Sequence, residues 1–270
     1  MQFEGQIRKM TTENGMPINY YWNFKNDFIV MNQLLGKKIK INFDHYECLN
    51  CHEDKEIYQM GYCKNCFFTV PEANPSIINP ELSTAHLGIA QRDLEFETKF
   101  ELQPHIVYLA NSSGIKVGVT RLTQVPTRWI DQGASEAIII ARTDNRYEAG
   151  MIEVSLKNVI ADKTNWQRML KNDVPEINLF EKYHEIRNEV NPDFQKFLVD
   201  EPEVWKLDYP VLSYPEKVKS LNLKKTPEIK GVLKGIKGQY LIFEDNTVFN
   251  VRGHEGFYVN FEAVSYTHLT

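Results

Sequence analysis

The sequence lacks the features that mark secreted and membrane-spanning proteins. Its first residues are polar and contain no apolar core of a signal peptide. No stretch approaches the ~20 consecutive apolar residues that a spanning helix needs. Internal repeats and low-complexity tracts are also absent. We therefore expect a cytoplasmic protein whose thiols are reduced, with no membrane partner.

The chain also lacks an excess of positive charge. It carries 31 Lys and Arg against 36 Asp and Glu, which gives a net charge of −5. Overall electrostatic attraction to nucleic acid is thereby excluded, and any such contact must come from a local patch. The length of 270 residues predicts one large or two small domains.

Cysteine is scarce, but its four residues follow a metal-binding pattern. Cys48 and Cys51 form one CxxC pair, and Cys63 and Cys66 form a second pair eleven residues later. Two tight turns at these pairs would bring four thiolates into the tetrahedron that Zn²⁺ prefers. A four-cysteine site is closed, so we predict a structural zinc ion.

Other interpretations of the cysteines remain open. His45 or His52 could replace one of the ligands. The four cysteines could also be unrelated buried residues, a redox pair or disulfides, although disulfides suit a cytosolic chain poorly.

The pattern of apolar residues predicts an α+β fold whose two β-rich ends pair into one unit. We divide the chain into a β-rich part at 1–46, a zinc-ribbon module at 47–70, a connector at 71–100, an α/β core at 101–175, a helical connector at 176–205, a β-rich part at 206–262 and a foreign tail at 263–270. The tail resembles a translated sequencing adapter, so we expect no function for His268.

The core begins with a predicted β-hairpin. Ile106–Ala110 and Ile115–Val119 are apolar strands that flank a turn ending at Gly114. A three-residue loop with Gly114 in the left-handed region places Tyr108 opposite Gly118. Tyr108, Lys116 and Gly118 then share one face of the hairpin, whereas a slip of one residue would separate Tyr108 from Lys116. Gly118 would leave room for a ligand or a neighbouring backbone.

Two helices and a strand follow the hairpin. Residues 123–131 predict a short helix that carries Arg128, and residues 137–141 predict a buried strand. Residues 145–160 predict a second helix with Asn145 as its N-cap and Glu153 at the edge of its apolar face. Such a carboxylate could hold a divalent ion, or it could be a solvated surface glutamate.

This order of elements resembles the GIY-YIG nuclease superfamily, whose fold is strand-strand-helix-strand-helix. By position, the resemblance assigns the site residues to Tyr108, Lys116 with Val117-Gly118, Arg128, Glu153 and Asn165. Two departures stand out: His105-Ile-Val-Tyr108 lacks the first glycine, and Lys116 replaces the second tyrosine. The whole chain also resembles an uncharacterised bacterial family of unknown function that pairs a four-cysteine module with this block.

The resemblance implies metal-assisted hydrolysis of a phosphodiester. Glu153 would bind Mg²⁺ or Mn²⁺, and Arg128 would neutralise the developing charge. Tyr108 would position the water or act as the base, with Lys116 or His105, and Asn165 would hold the helix or a phosphate. Alternatively, Tyr108 is ordinary strand packing, Arg128 is a surface ion pair and Asn165 caps the helix that starts after it.

A basic segment near the end of the chain could contact DNA or RNA. Between Glu216 and Gly238 there are seven lysines against two glutamates: Lys217, Lys219, Lys224, Lys225, Lys230, Lys234 and Lys237. The alternative is the solvated face of a β unit. Three functions remain open: a metal-dependent nuclease, a non-catalytic nucleic-acid-binding protein, and a structural or partner-binding zinc protein.

Overall fold

The computed structural model describes residues 1–24, 27–160 and 165–263. Residues 264–270 of the expected foreign tail, with His268, lie outside the described residues, whereas Ala263 belongs to a strand and not to the tail. The fold is mixed α+β, as predicted, and the chain divides into two compact units. One unit comprises Met1–Phe67 and the chain from Asp208 onward, and the other comprises Phe68–Leu207.

The helices and strands follow one another along three parts of the chain. The first part contains β1 (Gln2–Gln6), β2 (Thr11–Glu13), β3 (Asn19–Phe24), β4 (Asp27–Val30), β5 (Lys38–Tyr46), β6 (Ile57–Gln59), β7 (Tyr62–Cys63) and α1 (Lys64–Phe67). The middle part contains α2 (Pro75–Ile78), α3 (Leu94–Glu101), β8 (His105–Asn111), β9 (Ile115–Arg121), α4 (Thr127–Asp131), β10 (Glu136–Thr143), α5 (Arg146–Leu156), α6 (Trp166–Leu170), α7 (Leu179–Ile186) and β11 (Val204–Lys206). The last part contains β12 (Lys219–Leu221), β13 (Glu228–Lys237), β14 (Tyr240–Phe243), β15 (Thr247–Asn250) and β16 (Phe257–Ala263). Short 3₁₀ turns occupy Met31–Leu34, Pro71–Ala73, Pro80–Leu82, Ala85–Leu87, Leu122–Gln124, Arg187–Glu189, Pro192–Phe197 and Arg252–His254.

The first unit is built on a sheet that joins both ends of the chain. Its strand order is β1-β16-β5-β13-β14-β15-β12. The N-terminal strand β1 pairs antiparallel with the C-terminal strand β16, in the register Gln2 to Glu262. Strands β14 and β15 form the antiparallel hairpin that the sequence predicts near residues 238–251. The two ends of the chain therefore fold together.

The second unit contains a sheet of order β11-β10-β8-β9, in which β9 lies at one edge. Strands β8 and β9 pair with Tyr108 opposite Gly118 and Ala110 opposite Lys116, so the predicted register is confirmed. Helices α5 and α7 pack on one face of the sheet, and the shared core includes Val107 and Leu109. Trp129 of α4 lies against Tyr108, with the two ring centroids 5.9 Å apart, so α4 covers the opposite face.

The order β8, β9, α4, β10, α5 agrees with the predicted strand-strand-helix-strand-helix sequence, but both helices are shorter than expected. Helix α4 begins at Thr127 rather than at residue 123, because Pro126 disfavours a helical conformation in Val125. Helix α5 ends at Leu156 rather than at residue 160. Asn145 is its N-cap as predicted, since its side chain accepts a 3.0 Å hydrogen bond from the N–H of Glu148.

The segment expected to be a connector is held by two buried glutamates of α3. Glu97 accepts hydrogen bonds from the Asn74 side chain (2.7 Å) and from the N–H of Arg92 (2.7 Å). Glu101 accepts hydrogen bonds from the hydroxyls of Ser76 and Ser83. Each of the two glutamates is 1% exposed. Buried carboxylates that accept several hydrogen bonds fix a loop in one conformation. Residues 74–83 are therefore an ordered, integral part of this unit.

Candidate functional site

The second unit contains a polar cavity of about 250 Å³ that lies along the edge strand β9. Four of the residues that the sequence singles out line this cavity together: Tyr108, Lys116, Arg128 and Glu153. The remaining polar lining comes from Asn79, Gln132, Arg146 and Lys157, and residues 77–80 and 117–119 complete the lining. Side chains from β8, β9, α4 and α5 thus converge on one point.

Tyr108 is fixed at the floor of the cavity. Its hydroxyl donates a 2.9 Å hydrogen bond to Oε1 of Gln132, and its side chain is almost fully buried. A Cβ at Gly118 would lie only 2.6 Å from this hydroxyl, so the space at Gly118 admits the Tyr108 ring rather than a ligand. Burial raises the pKa of Tyr108, although the nearby Arg128 opposes that rise. The hydroxyl is therefore a neutral donor.

Lys116 is a buried lysine on the same face of the hairpin. Lys116 is 6% exposed. Burial lowers the pKa of its ammonium to about 7, and the positive charge of Arg128 also lowers this pKa. A fully solvated lysine has a pKa near 10.4. Close to neutral pH, a large fraction of Lys116 is therefore the neutral amine, which can accept a proton.

Glu153 supplies the carboxylate of the cavity. It is 8% exposed, and Nζ of Lys157, one helical turn later, lies 3.4 Å from its Oε2 in an ion pair. Burial raises the pKa of the Glu153 carboxyl, and the cations of Lys157 and Arg146 oppose this rise while Glu81 adds to it. The alternative of a solvated surface glutamate is therefore wrong.

Arg146 is a cavity residue that the sequence pattern did not reveal. Its Nε and one terminal nitrogen each donate a 2.8 Å hydrogen bond, to the carbonyl oxygens of Ser76 and Ile77. Burial lowers the pKa of its guanidinium to about 10, and the neighbouring Glu101 and Glu153 limit this fall. An arginine in the first turn of a helix gives no sequence signal of burial, because its partners lie about 70 residues earlier.

Two residues of the predicted site lie outside this lining. Asn165 caps α6 by accepting a 3.2 Å hydrogen bond from the N–H of Arg168, which agrees with the alternative interpretation of this residue. Its own N–H donates to the hydroxyl of Ser113 at 2.9 Å. His105 projects from the opposite face of β8 to Tyr108, and its Nδ1 lies 2.7 Å from the carbonyl oxygen of Gln103. Burial lowers the pKa of His105 to about 4, so its imidazole is neutral.

In the first unit, the four cysteines form one cluster. The Sγ atoms of Cys48, Cys51, Cys63 and Cys66 all lie within 4.8 Å of one another, and those of Cys51 and Cys63 are 4.0 Å apart. A tetrahedral zinc ion with Zn–S bonds of about 2.3 Å would hold its sulfurs about 3.8 Å apart. The four thiols form no disulfide. The donor set and the spacing therefore suit a metal ion such as zinc.

Hydrogen bonds to sulfur favour the thiolate at Cys48. The N–H of Cys63 donates to Sγ of Cys48 at 3.3 Å, and the Asn50 side chain donates to Sγ of Cys66 at 3.3 Å. Burial raises the pKa of Cys48, but hydrogen bonds from backbone N–H groups outweigh burial and bring the pKa to about 6. At Cys51 and Cys66, bonds from the N–H of Glu53 and from the Asn50 side chain lower the pKa, but burial and the neighbouring cysteines outweigh them and raise the pKa of both thiols. The ring of His52 contacts Glu47 and the ring of His45 contacts Asp44, each at 3.2 Å, so neither replaces a cysteine.

Comparison with known proteins places the chain in a family. Residues 36–259 match the model of the family described as protein of unknown function DUF2797. The chain belongs to the DUF2797 family. Searches of curated proteins and of solved structures return no match. The part that matches the DUF2797 model contains the four cysteines and every residue that lines the cavity.

The basic segment of this DUF2797 protein does not form a continuous cationic surface. Three of its seven lysines pair with acidic side chains at 2.9–3.2 Å: Lys224 with Glu56, Lys230 with Glu228, and Lys234 with Glu244. Lys237 is fully buried beneath the rings of Tyr209 and Tyr214. The remaining three lysines are exposed: Lys217, Lys219 and Lys225. Three exposed charges are few for binding along a phosphate backbone. Across the described residues, no helix has the length and apolar character needed to cross a membrane.

Proposed function

We propose that the cavity binds a phosphate group of DNA or RNA and catalyses hydrolysis of the phosphodiester. The observation that carries this proposal is the convergence of Tyr108, Lys116, Arg128 and Glu153 on one cavity. The GIY-YIG resemblance assigns its reaction to these positions. A mere sequence coincidence would not bring together side chains from two strands and two helices.

The charge of the cavity supports an anionic ligand. Four basic side chains line it, from Lys116, Arg128, Arg146 and Lys157, against the single carboxylate of Glu153. Buried like charges repel one another in a medium of low dielectric constant, and a bound phosphate would relieve that repulsion. Arginine is also the side chain best suited to the geometry of phosphate oxygens.

The same geometry distributes the chemical roles. Lys116 takes the proton of the attacking water, because its neutral amine is available near pH 7. Tyr108 donates to Gln132 and holds the floor of the site, so it positions groups and does not act as a base. Arg128 stabilises the charge that develops on the phosphoryl oxygens. Lys116 stands where the GIY-YIG superfamily has its second tyrosine, and this replacement is therefore compatible with catalysis.

A single carboxylate fits Mg²⁺ or Mn²⁺ only if water and substrate phosphate provide the other ligands, which is the usual arrangement for Mg²⁺. Glu153 would hold the ion, and Lys157 would exchange its ion pair for solvent. When bound, the ion would supply polarisation of a phosphoryl oxygen.

For the cysteine cluster, we propose Zn²⁺ as the resident ion, with a structural role in a cytoplasmic protein whose thiols stay reduced.

The test is incubation of purified protein with labelled DNA and RNA oligonucleotides, with Mg²⁺, with Mn²⁺ or with EDTA. Wild type is compared with Glu153→Gln, which keeps the shape of the side chain and removes its charge. We expect cleavage by wild type in the presence of a divalent ion and loss of cleavage in the variant. Cleavage that persists in the variant would contradict the assignment of Glu153.

A second function remains compatible with one observation. The ion pair between Glu153 and Lys157 occupies the carboxylate that a metal would need. If that pair persists with substrate present, the cavity binds phosphate without hydrolysing it, and the protein is a non-catalytic nucleic-acid-binding protein. Binding without cleavage under every metal condition would select this alternative.

A further inference from the structure

Three of the side chains that carry the chemistry are recessed in the second unit, whereas Arg128 is half-buried. Tyr108 is 1% exposed, Lys116 6% and Glu153 8%. A phosphate that lies across the protein surface would not reach them. The substrate must instead place a phosphate inside the cavity, and its neighbouring groups must follow or bend away.

One wall of the cavity is formed by residues 77–80, and the structure anchors it firmly. Arg146 binds the carbonyl oxygens of Ser76 and Ile77 from one side. The hydroxyls of Ser76 and Ser83 bind Glu101 from the other side. Both anchoring side chains are buried, so releasing the wall would leave a buried charge without partners.

The wall also touches α5 without any gap. A Cβ added at Gly150 would overlap the backbone of Pro80 and lie 2.9 Å from Cα of Glu81. The 3₁₀ turn Pro80–Leu82 therefore packs directly on the helix that carries Glu153. Because this contact is between backbones, rearrangement of side chains would not move the turn away from the helix.

The size of the cavity limits what can enter. Its volume of about 250 Å³ lies below the range of about 300–1,000 Å³ that pockets for drug-sized ligands occupy. A phosphate with part of its sugar is of suitable size, whereas a stacked base pair is not. In a duplex, pairing and stacking of the bases keep each phosphate on the outside of a stiff rod, whereas a single strand can bend into a recess.

We infer that this site acts on single-stranded nucleic acid and rejects duplex. The inference rests on the proposed function, since it names the substrate form for the same cavity. The fixed wall at residues 77–80 would exclude the duplex by steric contact, while the basic side chains attract both forms. Selectivity thus arises from shape and not from charge.

The first experiment compares one oligonucleotide as a single strand and as a blunt duplex, by fluorescence anisotropy with the full chain and without added Mg²⁺ or Mn²⁺. We expect the single strand to bind at least about tenfold more tightly, which corresponds to about 1.4 kcal/mol. Equal or tighter binding of the duplex would overturn the inference and leave the proposed function standing. Failure to bind either form would overturn the proposed function itself.

The second experiment loosens the wall without touching the lining. The double variant Ser76→Ala/Ser83→Ala removes both hydroxyl donors to Glu101. Thr84→Ala is the matched control, because the Thr84 hydroxyl donates to the nearby carbonyl oxygen of Ile89 and not to Glu101. With folding checked by circular dichroism, we expect the double variant to bind duplex more tightly and the single strand as before. If a folded double variant prefers the single strand over the duplex as strongly as wild type does, the wall is not the cause of the preference. If the double variant does not fold, the comparison of the two forms with wild type decides alone.

Discussion

The cysteine cluster and the cavity are both groups of convergent side chains, but they are built in opposite ways. The cluster takes four identical donors from residues 48–66, on one turn, strand β7 and helix α1. The cavity takes a tyrosine, four basic groups and one carboxylate from residues 77–157, on two strands, two helices and a loop. One is local and uniform, and the other is assembled across a whole unit from unlike groups.

The two regions also differ in what burial does to them. Thiolates in a four-cysteine site bind their ion tightly, so the ion contributes directly to folding. Buried charges such as Lys116, Arg146 and Glu153 oppose folding, and burial shifts the pKa of each away from its charged form. Groups at functional sites often have shifted pKa values. We therefore expect the cluster to contribute stability and the cavity to contribute function.

The largest effect should follow removal of a cysteine ligand. We expect Cys63→Ser to lose its bound metal and to lower the melting temperature by more than about 10 °C, because a structural zinc ion contributes about 10 kcal/mol or more to folding. Metal content by mass spectrometry and thermal melting check this. His52→Ala is the matched control and should keep the metal. A Cys63→Ser variant of unchanged melting temperature would remove the distinction between the two regions.

The second largest effect should follow removal of the Lys116 amine from the cavity. We expect Lys116→Met to reduce cleavage by about a hundredfold or more, since the base is lost. The melting temperature should rise by about 2 °C or more, since folding no longer buries an amine that is charged in the unfolded chain. In wild type, cleavage should rise with pH and level off above the Lys116 pKa of about 7, where the amine is neutral. A variant that is inactive and also destabilised, or a rate that falls as pH rises through 7, would contradict this role.

A smaller effect concerns the floor of the cavity. We expect Gly118→Ala to destabilise the protein by about 1–3 kcal/mol, because the added methyl group overlaps the Tyr108 ring and hydroxyl. Tyr108→Phe keeps the ring and removes the bond to Gln132, so it should cost only about 1 kcal/mol. Denaturant unfolding measures both. If the glycine variant were the milder of the two, the packing of Tyr108 on Gly118 would be wrong.

The smallest effect should come from the basic segment. Charge reversal of Lys217, Lys219 and Lys225 together should change oligonucleotide affinity less than about threefold, while Arg128→Met should weaken it by about tenfold or more. Affinity by anisotropy at two salt concentrations separates these cases. A large loss from the exposed lysines alone would move the binding site from the cavity to the first unit.

Local features of the fold could be predicted from the sequence because their causes lie within a few residues. The CxxC spacing predicted the cysteine cluster, and the turn before Ile115 predicted the register that pairs Tyr108 with Gly118. The N-cap at Asn145 followed from the residue type and its position before an apolar helix. Each of these depends on backbone geometry over a short span.

The rest of the candidate site depends on contacts between distant segments. Arg146 and the wall at residues 77–80 meet only in the folded unit, so neither periodicity nor spacing reveals them. The last helix shows the same limit, because Phe180 is 40% exposed whereas its apolar neighbour Leu179 is buried. Choosing between adjacent apolar residues requires knowledge of the surface against which the helix packs.

The cavity in the second unit is proposed to handle phosphodiesters, and cleavage of a single-stranded oligonucleotide tests this central claim most directly. Wild type, Glu153→Gln and His52→Ala are incubated with the same labelled strand in Mn²⁺, and products are resolved by electrophoresis. We expect cleavage by wild type and by His52→Ala, and a loss of about a hundredfold or more in Glu153→Gln. Equal cleavage by all three proteins would contradict the claim.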